Sequence, residues 1–435
     1  MLEKLRGLLA HRTVGLLGFG REGRSSYAFL RRLYPEKMLL IADSAPLQVD
    51  DSHVRLLTGE GYLEILTQCD FLLKSPGISL RGVALPPGIQ VSCQTDLFLR
   101  YAPCIKAGVT GSKGKTTTAT LLYDMLTASG IPARLMGNMG RPVLDAIDAM
   151  EGKIAVIELS SHQLEFTAAS PQVAVWTNLY EEHLEHYDGG FLGYATAKAN
   201  ICRHQKQGDA FIYTAEQPLV ALAQLADCKG ERLPVGMDEG RENPFLQSLC
   251  GVNARLRGRH NQQNIFFAAV AALRLGATQE GIRRAVTDFQ GVPHRLETVS
   301  RVGGIAWVDN CICTIPQGVM MDIATLENVD TLIFGGLDRG LDYENFAVQL
   351  LASSVRNFIC MPETGHSIAK LLEKRSNNKN VVIVETMEQA VRSAAEKTAQ
   401  GKTCLLSPAA ASYNRYKDFE EKAAHFLECI ALLGQ

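Results

Sequence analysis

The sequence predicts an α/β protein of three domains, each built on a mostly parallel sheet. Three observations lead there. Short apolar runs alternate with helix-like stretches from end to end, the pattern of strand–helix–strand units. Two glycine-rich turns, at 18–23 and 111–114, each follow an apolar run and precede a helical one. The length of 435 residues suits two to four domains, and a hydrophobic content of 46% is ordinary for soluble proteins with large cores.

Taken in order, the runs at 13–17, 38–42 and 70–73 read as buried strands of a first domain, placed at 1–100. Those at 105–109, 154–159 and 173–177 belong to a second domain, 101–292. The turn Gly291-Val292-Pro293 separates it from a third, 293–435, with strands at 304–308, 331–334, 358–361, 381–384 and 404–406. There is no internal repeat and no low-complexity segment.

Bulk chemistry excludes several classes. A formal net charge of -2 argues against a broad nucleic-acid or anionic-membrane surface. No run approaches the ~20 apolar residues of a membrane span. Met1-Leu2-Glu3-Lys4 does not open a signal peptide, so a cytoplasmic location is expected. The eleven cysteines are scattered without a Cys-x-x-Cys pair, which argues against a zinc site or a disulfide framework and for reduced thiols.

Residues 109–118 read Val-Thr-Gly-Ser-Lys-Gly-Lys-Thr-Thr-Thr. An apolar run enters a turn containing Gly111, Ser112, Lys113 and Gly114, and a helix with Leu121, Leu122 and Met125 leaves it. Such a turn aims backbone N–H groups, and the dipole of the helix, at phosphate oxygens. Lys115 is placed to reach the β- and γ-phosphates of a nucleotide, and the Thr116 hydroxyl to ligate Mg²⁺, with Thr117 beside it. The full phosphate-loop pattern has glycine where Val109 stands, and the loop by itself does not choose among kinases, GTPases and ligases.

Glu158 ends an apolar strand at its carboxyl end, where α/β sheets gather ligand-binding groups. His183 follows the next strand and is a second metal-ligand candidate, and Lys198 lies on a helix after it. Singly, these are a capping acid, a satisfied loop histidine and a solvated lysine. In order with the phosphate loop they form a set. TGSKGKTTT, GNMG at 137–140, ELSSHQLE at 158–165, TNLYEEHLEHY at 177–187 and YATAKANI at 194–201 resemble the central domain of the Mur ligases. GRHNQQN at 258–264, HRLE at 294–297, GGLDR at 335–339 and SPAAAS at 407–412 extend the resemblance over nearly the whole chain.

That resemblance implies a Rossmann-like UDP-binding domain, a P-loop ATPase domain and a Rossmann-like C-terminal domain that takes the amino acid. It implies ATP and two Mg²⁺ sites. Thr116, Glu158, His183 and Lys198 would be the metal residues, with Lys198 carbamylated by CO₂. Asn264, Arg295 and Asp309 match ATP contacts, and closure of the C-terminal domain would complete the site. Asn138, Ser160 and Gln163 match the muramoyl-alanine end of the substrate. Compact N-terminal residues and the SPAAAS…YKDFEEK ending look like the members that attach glutamate to UDP-muramoyl-alanine. The expected partners are those two small molecules, with a monomeric protein, no nucleic acid and no membrane.

Gly18-Phe19-Gly20-Arg21-Glu22-Gly23 after a strand, with Asp43 ending the next, reads by itself as a dinucleotide fingerprint and raises an NAD-dependent dehydrogenase. That reading leaves the phosphate loop, Glu158 and His183 without a role. A nucleotide-binding scaffold without catalysis leaves Lys115, Glu158, His183 and Lys198 equally unexplained. The resemblance implies instead that the UDP end of the substrate lies at Gly20, Arg21 and Asp43, with Ser75, Pro76 and Gly77 along the same cleft. One departure concerns the amino acid. Where the glutamate-adding members carry a lysine and a threonine after the aspartate, this chain has Cys311 and Cys313. Arg339 stands for a second lysine, while Ser412 and Phe419 match the amino-acid pocket. D-glutamate is the family default and L-glutamate the alternative.

Overall fold

Continuous apolar runs need burial on both faces, and parallel strands covered by helices provide it. A computed structural model of the chain describes residues 2–138, 142–217, 228–256, 258–326, 328–338, 343–375, 378–410, 412 and 414–434. They fall into two units, Met1–Gln290 and Gly291–Gln435.

The first unit contains two sheets. One runs Val54–Thr58, Leu39–Asp43, Val14–Leu17, Phe71–Lys74, Gln90–Ser92 in spatial order, all parallel. Its order reverses between Val14–Leu17 and Phe71–Lys74, so the turns at 18–23 and 75–77 leave side by side from the carboxyl ends. This is the switch point at which open α/β sheets bind ligands. The other sheet runs Glu231–Val235, Ala210–Thr214, Val173–Trp176, Ile105–Thr110, Ile154–Glu158, Ala133–Gly137, again parallel throughout. Ile105–Thr110 is flanked by Val173–Trp176 and Ile154–Glu158, which brings the phosphate-loop turn, residue 177 and residue 158 to one edge. A single apolar core reaches from Leu16 and Phe71 through Phe98 and Ile147 to Trp176, joining the two sheets into one body.

The second unit has one sheet, ordered Glu297–Val302, Ile305–Asp309, Thr403–Leu406, Val329–Phe334, Asn357–Cys360, Asn380–Ile383. It is parallel except for the antiparallel first pair. Apolar clusters fill both of its faces. The chain is therefore α/β with three mostly parallel sheets, and none of its described helices is long and apolar enough to cross a membrane.

Candidate active site

The strand Ile105–Thr110 ends at a tight turn, and Gly114, in left-handed conformation at φ 83°, opens the helix Lys115–Ala128. Two glycines are required by close approach. A Cβ on Gly111 would lie 2.0 Å from Thr177 Oγ1, and one on Gly114 would lie 2.4 Å from Asn264 Oδ1. The turn is clamped from the neighbouring strand. Thr177 Oγ1 donates to the Lys113 carbonyl (2.7 Å), Asn178 Oδ1 accepts from the Lys113 amide (2.7 Å), and Asn178 Nδ2 donates to the Lys113 carbonyl (3.0 Å). The Ser112 hydroxyl bonds Tyr180 and the Tyr194 phenol, and the Lys113 ammonium pairs with Glu182 at 2.5 Å. Asn264 sits behind the turn, accepting from Thr118 at 3.3 Å.

Two lysine amines converge on one oxygen. Lys115 Nζ donates to the Gly111 carbonyl at 2.9 Å and Lys198 Nζ donates to the same atom at 2.8 Å. Lys115 also reaches the Ser112 carbonyl at 2.8 Å. The Lys198 side chain is 2% exposed and lies over the Tyr194 ring. Burial, and then the charge of Lys115, hold its amine well below the usual lysine range.

Glu158 faces the same turn. It is 2% exposed; Oε1 accepts from Asn138 Nδ2 at 2.9 Å, and Oε2 is buried without a hydrogen-bond partner. A buried carboxylate oxygen left so is unfavourable unless a cation or donor meets it. His183 is exposed, in left-handed conformation at φ 54°, and stands beside His162 with ring centroids 4.9 Å apart. Although the residue as a whole is exposed, partial desolvation of its ring lowers the His183 pKa, favouring the neutral imidazole that ligates metals. Thr116 and Thr117 are buried at the helix start. The structure thus brings Lys115, Thr116, Glu158, His183 and Lys198 around one turn.

At the other sheet, the reason for Gly23 is steric: a Cβ there would meet the Gly18 carbonyl oxygen at 2.1 Å. Gly20 faces open space. Asp43 holds the turn, accepting from the Phe19 amide (2.7 Å) and the Ala45 amide (2.9 Å), and Ser75 closes it by donating to the Gly18 carbonyl (2.8 Å). Arg21 begins the next helix, and Pro76 and Gly77 follow Ser75 beside it. Ser160 and Gln163 form a capping box on the short helix Ser161–Leu164, and Gln163 Nε2 donates to Glu22 at 2.7 Å. Of the GNMG segment, Asn138 is described and residues 139–140 lie outside the described residues.

Comparison with known proteins now decides the family. Residues 109–272 match the Mur ligase middle domain. Over 88% of this chain and 88% of the relative, the sequence is 33% identical to UDP-N-acetylmuramoylalanine--D-glutamate ligase of Symbiobacterium thermophilum. The chain belongs to the Mur ligase family. The enzyme of the same name from Geobacillus kaustophilus is 31% identical over 97% of both chains. The fold agrees with UDP-N-acetylmuramate-alanine ligase MurC of Thermotoga maritima, at a TM-score of 0.58 and 16% identity over 96% of this chain and 99% of that one. It also agrees with the MurF ligase of Thermotoga maritima in complex with ADP, at 0.57 and 17% over 96% and 95%. Mur ligases are ATP-dependent enzymes that form amide bonds in peptidoglycan synthesis, and this chain is such a ligase.

In the second unit of this Mur ligase, Asp309 is fully buried at a strand end. It accepts from the Cys311 amide (2.8 Å) and pairs with His294 Nδ1 (2.7 Å), which raises the His294 pKa. Arg295, the next residue, is exposed. Phe419 packs edge-on to His294, and the Ser412 hydroxyl is buried without a partner. Arg339 lies outside the described residues. Cys311 and Cys313 are buried; burial drives the first thiol well above its usual range and the second up to about 12, so neither is a ready thiolate.

Several site residues escaped the sequence reading. Thr177 and Asn178 clamp the phosphate turn from another strand. Glu22 occupies a variable position of the glycine motif and is half-buried; desolvation raises its pKa against the Gln94 and Gln163 hydrogen bonds. His162 lies beside both His183 and His186, its ring tilted to each; burial and then the charges of His186 and His183 push it down to about 3. Lys422 is a fully buried lysine donating to the Gly335 carbonyl at 2.8 Å, with burial lowering it to about 8 beside Cys311 and Asp309. Its spacing from Phe419, one turn along a helix, was the signal available.

Proposed function

We propose that this ligase joins glutamate to the free carboxylate of UDP-N-acetylmuramoyl-L-alanine, with ATP activating that carboxylate as an acyl phosphate. The relatives' names support the acceptor and D-glutamate; Cys311 and Cys313 in place of the family's lysine and threonine keep L-glutamate as the alternative. The acceptor carboxylate attacks the γ-phosphorus and ADP departs. The amine of the amino acid then attacks the acyl carbon, loses a proton, and expels phosphate.

The observation that carries the reading is the pair of lysines on the Gly111 carbonyl, together with Glu158 at the end of the neighbouring strand, whose Oε2 is buried without a partner and whose charge acts on Lys198. A carboxylate approaching a triphosphate meets strong repulsion, and cations must stand between them. Lys115 supplies one. The donor set also fits Mg²⁺: Thr116 and Glu158 would hold one ion and His183, helped by a carbamylated Lys198, a second, and these ions would neutralise phosphate charge. The buried Lys198 amine is depressed toward its neutral form, the form that adds CO₂ to give a carbamate and a proton. We assign the first sheet's cleft, at Gly20, Arg21, Asp43 and 75–77, to the UDP end. The acyl end goes to Asn138, Ser160 and Gln163. Asn264, Arg295 and Asp309 are assigned to ATP, and Ser412 and Phe419 to the amino acid, in three domains at 1–100, 101–292 and 293–435.

The test is a product assay. Purified protein, ATP, Mg²⁺ and UDP-N-acetylmuramoyl-L-alanine are incubated with D- or L-glutamate and other amino acids, and the product is weighed by mass spectrometry. One glutamyl residue added per ADP formed is expected, from D-glutamate. Addition of a neutral amino acid alone would overturn the glutamate assignment.

A further inference from the structure

Away from the reaction residues, the second unit contains a cavity of about 630 Å³ lined in part by Met361, Glu388, Tyr416, His425 and Glu428. His425 and Cys429 lie four apart on the helix Phe419–Leu432, hence on one face of it, and Glu388 projects from the first turn of the helix Met387–Lys397. One ligand atom from each of Glu388, His425 and Cys429 lies within 4.8 Å of the other two. Glu388 Oε1 and His425 Nε2 are 3.0 Å apart, and the other ring nitrogen, Nδ1, is 3.0 Å from the Tyr416 hydroxyl.

We propose that Glu388, His425 and Cys429 form a binding site for a borderline-soft divalent metal ion of the zinc class. One imidazole nitrogen, one sulfur and one carboxylate oxygen are the donors such an ion takes, with a fourth position left open toward the cavity. The Tyr416 bond is an independent pointer. A metal-ligating histidine has its second ring nitrogen held by a neighbouring oxygen, which fixes the ring and aims the free nitrogen at the ion. Here the held nitrogen is Nδ1, and Nε2 faces the carboxylate. The charge balance favours a cation. Glu421 and Glu428 add carboxylates to the lining, and Arg415, which also lines the cavity, is ion-paired to Glu385 at 3.2 Å.

Tetrahedral zinc with bonds of about 2.0–2.3 Å keeps its ligands roughly 3.3–3.8 Å apart. Closure therefore asks only for side-chain rotations of about one ångström. The spacing of cysteines along the chain gives no sign of the site, because its ligands come from two helices and include one cysteine.

Co²⁺ alone, added to the whole protein, is the probe. The expected result is one equivalent bound with a thiolate-to-cobalt charge-transfer band, displaced by Zn²⁺. Cys429→Ser abolishes the band, and Cys250→Ser keeps it. His425→Gln and Glu388→Gln, whose side chains are partly exposed, weaken Zn²⁺ binding in calorimetry by at least about tenfold, and Tyr416→Phe by about tenfold. Absence of the band in the wild type, or its persistence in Cys429→Ser, overturns the proposal. So does unchanged Zn²⁺ affinity in His425→Gln, which reads the site even where Cys429→Ser fails to fold. Any of these three outcomes would leave a plain Glu388–His425 hydrogen bond.

Discussion

Removal of the Lys198 amine separates two charge states by the sign of its effect. Lys115 and Lys198 donate to the same carbonyl at 2.9 and 2.8 Å, so their nitrogens lie no more than about 5.7 Å apart. Two positive charges at that distance repel by at least about 3 kcal/mol at an effective dielectric constant of about 20. Were Lys198 an ammonium in the working enzyme, Lys198→Ala would relieve that repulsion and lower the Mg²⁺ concentration needed. As a carbamate it contributes a negative ligand, and its loss should reduce turnover by about 10²–10³-fold, roughly the 3–4 kcal/mol of one preorganised electrostatic contact. The assay is ADP release under saturating substrates across a Mg²⁺ titration, with acetate or formate added back. Partial recovery with the small carboxylate is expected, and a carbamate carbon signal should appear by NMR in wild type supplied with labelled CO₂. Near-wild-type turnover of a folded Lys198→Ala protein, or a reduced Mg²⁺ requirement, would refute the reasoning.

Lys115→Ala should reduce ADP release by at least about 10²-fold, since the developing phosphoryl charge loses its cation; normal turnover would remove Lys115 from the site. Glu158→Gln replaces a buried charge whose Oε2 has no partner, so the metal-free protein should gain on the order of 1 kcal/mol in denaturant unfolding while turnover falls. Unchanged turnover would contradict a metal role. His294 is raised chiefly by its hydrogen bond to Asp309. Its contribution to stability should be complete below the unfolded pKa of about 6.5 and be lost as pH rises through the higher folded value. NMR titration should find the His294 imidazole above 6.5 and Asp309→Asn should bring it down; titration at or below 6.5 in the wild type would disprove the pairing.

Most interior strands were readable because burial on both faces makes them continuous apolar runs; Ala210–Thr214, interior in the second sheet, is the one that was not foreseen. Those not foreseen are mostly edges. Val54–Thr58, Gln90–Ser92, Ala133–Gly137, Glu231–Val235 and Glu297–Val302 each close a side of a sheet, are partly exposed, and lack such a run. Glu231–Val235 even carries Pro234, which an edge tolerates. The phosphate turn was legible because its chemistry is local: glycines, lysine and threonine lie within six residues. Its clamp was not, since Thr177 and Asn178 reach it only through the pairing of Val173–Trp176 with Ile105–Thr110. Lys422 was hidden for another reason. A lysine in a helix rich in charge reads as solvated, and only packing against Gly335 and Cys311 shows it buried. The N-terminal glycine motif read equally well as a dinucleotide site, because a turn that admits one pyrophosphate admits another.

The central claim is that ATP activates the acceptor's carboxylate before the amide forms. It is tested most directly with UDP-N-acetylmuramoyl-L-alanine whose carboxylate carries heavy oxygen, incubated with ATP, Mg²⁺ and D-glutamate. Mass spectrometry should find one heavy oxygen in each phosphate released and the other in the new amide carbonyl. Phosphate without label, alongside amide product, would show that the carboxylate never attacked phosphorus and would contradict the account.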